Sequence, residues 1–199
     1  MQPENFSPKD SLLLIDSMIN QAKNRFSENG FLYLLWGWAI FFCAIVHFVL
    51  LKLNCFKNPE IIWAICWLVV IFQVIYLIKN KKQKKVKTYS DNIINYIWIS
   101  FGVCMFIVSF IMSKKINWEL LNSMVLMLYG IPTFLSGIAM QFKPLKIGGI
   151  ICWCLSVLSV FVLPIYVLLL LATAVLSAWI IPGYILRARY KLENKKPQL

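Results

Sequence analysis

Proton transfer and nucleophilic attack need a positioned carboxylate, histidine or thiol. This 199-residue chain offers eight carboxylates, one histidine and six cysteines. Glu60, Asp91 and Glu119 lie at the edges of long apolar runs, and no acidic or basic residue lies inside one. That pattern disfavours a proton-coupled carrier, which needs ionisable groups at mid-membrane, and hydrolysis by a pair of carboxylates. His47 has no evident coligand and reads as a hydrogen-bonded structural group. Cys43, Cys66, Cys104, Cys152 and Cys154 fall within apolar runs, where a thiol behaves as a small hydrophobe, and only Cys55 falls in a polar loop. Cys152-Trp153-Cys154 lacks zinc-ligand spacing and has no neighbouring histidine or carboxylate. The chain carries no GxSxG, HExxH, phosphate-loop or dinucleotide fingerprint. It therefore reads as no enzyme, with no catalytic, cofactor-binding or metal-ligating residue expected.

The elements that would hold these residues follow from composition. The chain is 60% hydrophobic and 14% charged, with a mean hydropathy of +0.73. A water-soluble surface cannot absorb so much apolar side chain, so lipid is its solvent. A bilayer core of about 30 Å takes about 20 helical residues. Uncharged stretches of that order run over Phe31–Leu51, Ile61–Ile78, Asn92–Ser113 and Leu120–Phe142. The fifth, Ile147–Leu186, is forty residues long and divides into two helices near Pro164, where proline breaks the backbone ladder. The expected fold is all-α: a polytopic bundle of six transmembrane helices preceded by an amphipathic N-terminal helix. With six crossings, sixteen of the twenty Lys and Arg fall on one side and four on the other. The positive-inside rule then puts both termini in the cytoplasm of a bacterial inner membrane. No cleavable signal peptide is expected, since the first thirty residues hold acids and no apolar segment.

Within the spans, Trp36, Trp38, Trp63, Trp98, Trp118 and Trp179 are expected at the membrane interfaces. Ser100 with Cys104, Thr133 with Gly137, and Ala174 with Ala178 are small residues four apart, suited to close helix approach or to a homo-oligomer. Pro132 should bend the fourth span, and Pro182-Gly183 the end of the sixth. Carbonyls freed at such breaks, with Asn122, Ser123, Ser136 and Ser177, could line a cavity. Leu35-Trp36-Gly37 with Phe41 echoes Leu128-Tyr129-Gly130 with Phe134, and Ile65-Cys66-Trp67 echoes Ile151-Cys152-Trp153. Three-span halves so related would be inverted relative to each other.

Two segments outside the spans carry the candidate contacts. Ser7-Pro8-Lys9-Asp10 reads as a capping box. Leu12, Ile15, Ile19, Ala22 and Phe26 follow at helical spacing. This amphipathic helix either lies in the headgroup region or docks a cytoplasmic partner, through Leu12, Ile15, Ile19, Lys23 and Phe26. Lys79, Lys81, Lys82, Lys84, Lys85 and Lys87 form a polybasic loop for anionic lipid, each worth about 1 kcal/mol there. The net charge of +12 belongs to such loops, and direct nucleic-acid binding is not expected. The resulting division is 1–30 cytoplasmic amphipathic helix, 31–186 six-helix domain and 187–199 basic tail.

Several segments together resemble one family. They are Ser11-Leu12 through Ile15, Met18-Ile19 and Ala22-Lys23; Phe31 through Trp36-Gly37-Trp38; Ser136-Gly137 through Phe142-Lys143-Pro144-Leu145, Gly148-Gly149 and Trp153; and Ile181-Pro182-Gly183-Tyr184-Ile185-Leu186. The chain is similar over nearly its whole length to a family of uncharacterised small bacterial multi-span membrane proteins, often encoded beside a winged-helix transcriptional regulator. The resemblance implies a regulatory pair at the membrane and supplies no catalytic residues. Two functions fit the sequence. One is a regulatory or scaffold protein whose cytoplasmic face binds a soluble partner. The other is a small permease or channel for a neutral or lipid-like solute.

Overall fold

The computed structural model describes residues 12, 30–54, 58–81, 89–115 and 118–193. Among them every regular element is helical, and six helical stretches are long and apolar enough to cross a membrane. The first is α1 (Phe31–Leu53). A 3₁₀ turn at Pro59–Ala64 feeds α2 (Ile65–Lys81). Next come α3 (Tyr89–Lys115), α4 (Trp118–Ala139) and α5 (Lys143–Leu158). The sixth stretch is α6 (Pro164–Val175), a π-helical segment Leu176–Ile180 and α7 (Ile181–Glu193). Leu12 is helical and exposed, while Ile15, Ile19, Lys23, Phe26 and the rest of the expected N-terminal helix lie outside the described residues.

Chain breaks follow local chemistry. Gly30 precedes α1 at φ 68°, a left-handed conformation open to glycine without cost. Gln141 ends the fourth span at φ 50°, and the Phe142 amide closes the turn by donating to Gly137 O at 2.8 Å. The fifth and sixth spans part where expected: Val162 and Leu163 are extended, and Pro164 opens α6 at its first turn.

The sixth helix continues through Pro182-Gly183 and past Leu186 to Glu193, so the first part of the basic tail is helical. A proline ring strikes the carbonyl four residues back, which here belongs to Ala178. The π segment widens the backbone over Leu176–Ile180, at that carbonyl, and the helix passes the proline intact.

The core is a four-span unit of α1, α4, α5 and the sixth span. It is built around Ala44, Leu126, Leu145, Leu171, Ala174 and Trp179, all at most 2% exposed. α4 and α5 make the tightest hairpin. A methyl added at Gly130 would collide with the Trp153 ring, one at Gly149 would lie 2.7 Å from Phe134 Cβ, and one at Gly137 would lie 2.7 Å from the Lys146 amide. α1 lies along α6 and the π segment, with Gly37 under Ile180. α2 packs chiefly on α1, and α3 chiefly on α4. The matched glycines of the sequence echo thus meet non-equivalent partners: Gly37 faces the sixth span and Gly130 the fifth.

Candidate functional site

Within the bundle, polar side chains are turned to holding helices together. Thr133 donates to the carbonyl of Tyr129 at 2.7 Å, and its oxygen accepts the indole N–H of Trp179 at 2.9 Å. The Trp179 ring lies 4.7 Å from that of Tyr129 and 5.8 Å from that of Trp98, which meets Tyr33 edge-on. Trp179 is therefore no interface anchor. It is 2% exposed, at the widened turn of the sixth span, because Thr133 satisfies its one donor there. At the α4–α5 seam, Ser159 donates to the hydroxyl of Ser123, and Ser156 to its carbonyl. Between α1 and the second span, Trp63 donates to His47 Nδ1 at 3.0 Å, and Trp36 to Gln73.

These pairings place the four candidate cavity residues. Ser123 bonds across to the fifth span, its carbonyl to Ser156 and its hydroxyl to Ser159, and Ser177 turns back on its own helix at the carbonyl of Ala174. Asn122 is half-buried near the start of α4. Ser136 is fully buried, and its hydroxyl has no hydrogen-bond partner. Of the small-residue pairs, Thr133 with Gly137 and Ala174 with Ala178 are buried, whereas Ser100 and Cys104 are exposed. Among the described residues, no three of His, Cys, Asp and Glu stand close enough to hold a metal ion.

A different surface is offered by the helix ends that carry, among the described residues, Lys79 near the end of α2, Lys143 and Lys146 opening α5, and the cations of α7. Pro164 to Glu193 is one nearly continuous helix of about 45 Å at about 1.5 Å per residue. That exceeds a bilayer core of about 30 Å by roughly ten residues. On α7 the buried side holds Pro182, Gly183 and Leu186, against Leu34 and Gly30 of the chain entering α1. A methyl on Gly30 would stand 2.6 Å from Gly183 O, so this crossing requires the glycine. The outward side carries Ile181, Tyr184, Ile185, Ala188 and Leu192, all exposed. At about 100° per residue these five fall on one stripe, with Arg189 along one edge and Arg187 and Lys191 along the other. Tyr184 is fixed in this stripe by its hydroxyl, which accepts from the Trp38 indole at 3.3 Å.

Sequence reading missed the stripe because it ended the sixth span at Leu186. The spacing from Ile181 to Leu192 was the signal that could have found it. Of the expected lipid-binding lysines, Lys79 is exposed and Lys81 closes α2, while Lys82, Lys84, Lys85 and Lys87 lie outside the described residues. An apolar stripe flanked by cations can bind an acid-rimmed apolar groove or an anionic surface. No protein family, curated protein or solved structure matches the chain.

Proposed function

We propose that the chain is a bacterial inner-membrane protein with both termini in the cytoplasm, acting as a non-catalytic regulatory or scaffold protein that holds a soluble partner at the membrane. The observation that carries this reading is α7, the end of a helix that outruns a bilayer core, which presents an apolar stripe edged by Arg187, Arg189 and Lys191. The partner it suits carries an apolar groove rimmed by acids. The positive-inside bias supports a cytoplasmic position for α7, on the same side as residues 7–27 and 79–90 in the sequence-based topology. The resemblance to proteins encoded beside transcriptional regulators supports the same role.

The test is recovery of the tagged protein from its native cells in mild detergent. The variants are Arg187→Glu with Arg189→Glu and Lys191→Glu, and a chain lacking residues 7–27. The expected result is a soluble partner recovered with the parent chain and lost on charge reversal, while the variant still inserts. Equal recovery from the parent and both variants overturns the assignment of this surface.

A second reading, a permease for a lipid-like solute, is favoured by one feature. An apolar groove of about 360 Å³ runs between α3 and α4 beside Pro132, lined among others by Tyr96, Phe101, Cys104 and Leu135.

A further inference from the structure

The seam between α1 and the second span is short of helix-to-helix burial, and side-chain pairs mark it. At one end Phe31 meets Tyr76 and Phe72, and Trp36 donates to Gln73. Toward the other, Trp63 donates to His47. Between them lie two thiols. Cys43 is 2% exposed on the buried side of α1, and its Sγ donates to the carbonyl of Ile62 at 3.7 Å. Cys66 stands four residues beyond Ile62, one helical turn along, and is half-buried against the core. The Cys43 sulfur thus faces the turn of the second span that leads to Cys66, and neither thiol is in a disulfide.

A disulfide needs two Cβ atoms about 4 Å apart on elements that already face one another. Cys43 on α1 and Cys66 one turn beyond its Ile62 contact are placed on facing turns of two packed helices. Cys104 and Cys154, by contrast, are exposed on the helix surface.

We propose that Cys43 and Cys66 form a redox-sensitive clasp, closing to a disulfide that fixes the second span to the first. The oxidant that suits an apolar seam is a two-electron acceptor dissolved in the bilayer, of the quinone class. The two thiols surrender two electrons and two protons, one S–S bond forms as two S–H bonds break, and the quinone becomes a quinol. Cys66 is the more accessible sulfur, and Cys43 the one it closes upon. Because α2 leads directly into the polybasic segment, the clasp fixes the helix from which that segment departs. Reductant reverses the step by restoring both S–H bonds.

The test uses the full chain in native membranes, with Cys55, Cys104 and Cys154 changed to Ser and Cys152→Ala. Membranes are treated with duroquinone, whose ring carbons are fully substituted and so resist addition of sulfur. Free thiols are then alkylated and the intact mass is read. The expected result is loss of two hydrogens and loss of alkylation at both sites, each restored by reductant and each abolished by Cys43→Ser or Cys66→Ser. Closure should also raise the thermal midpoint by about 5–10 °C, reversibly. Continued alkylation of both cysteines after oxidation overturns the proposal, as does a disulfide joining two chains. Should the multiply substituted chain fold poorly, peptide mapping of the oxidised parent chain decides the same point through a Cys43–Cys66 linked pair or its absence.

Discussion

The second and fourth spans obey the same length rule and end in opposite surroundings. Pro59–Lys79 is the most apolar of the six spans, yet none of its residues is buried at its most apolar stretch. Leu120–Ala139 is the least apolar, and 44% of its corresponding stretch is buried. In water this ordering would be perverse. In lipid it is natural, because an apolar side chain gains little by exchanging acyl chains for protein, and helices associate through close packing and hydrogen bonds instead. The fourth span has both: Gly130 and Gly137 admit α5, and Thr133 links Trp179 to the backbone of Tyr129. The second holds α1 through a few indole, ring and thiol contacts.

That contrast breaks most severely at glycine. Gly130→Leu drives a side chain into the Trp153 ring and should abolish recovery of folded protein in mild detergent. Gly102→Leu, on the third span with nothing within 4 Å of the new Cβ, should leave the midpoint unchanged. Equal losses in the two variants would dissolve the distinction between core and periphery. The tryptophans give the next largest difference. Trp179→Ala empties a fully buried site and should cost about 3–5 kcal/mol, whereas Trp67→Ala, on an exposed position of α2, should cost under about 0.5 kcal/mol. Trp63→Phe removes the donor to His47 and should cost about 1–3 kcal/mol. Its effect should appear as faster hydrogen exchange in α2 with α4 and α5 unaltered. The smallest effect sharpens the same line from inside the core: Ser136→Ala removes a buried hydroxyl without a partner and should be neutral or stabilising by up to about 1 kcal/mol. A loss there would show that the hydroxyl is bonded.

The number of spans was legible in sequence because length and charge decide it. Pro164 marked the division of the long run, since a donor lost at a helix start costs nothing. Which spans form the core was illegible, because apolar residues facing lipid and apolar residues facing protein have the same chemistry. Trp179 shows the point: by type it belonged at an interface, and only Thr133, forty-six residues away, explains its burial. The passage of the helix through Pro182 was hidden for a related reason, since the π turn that accommodates it has no sequence code. The helical part of the tail was readable, and was lost by stopping at the first arginine. Of the candidate residues, Ser123 and Ser136 are both on α4, yet one is bonded to α5 and the other enclosed without a partner. Residue type and span position could not separate those fates.

The crossing of Gly30 and Leu34 over Gly183 and Leu186 also sets a timetable for biogenesis. Of the six spans, the one made earliest has the one made last as its main partner, so through most of their synthesis its buried face must be covered by lipid, by α2 or by the insertion machinery. The α4–α5 hairpin can form as soon as it is made. Closure of the four-span core waits for the sixth span to enter the bilayer. Nascent chains stopped short of Leu186 should therefore hold a paired α4–α5 beside an unpartnered α1, and quality-control proteases would find their substrate at the first span.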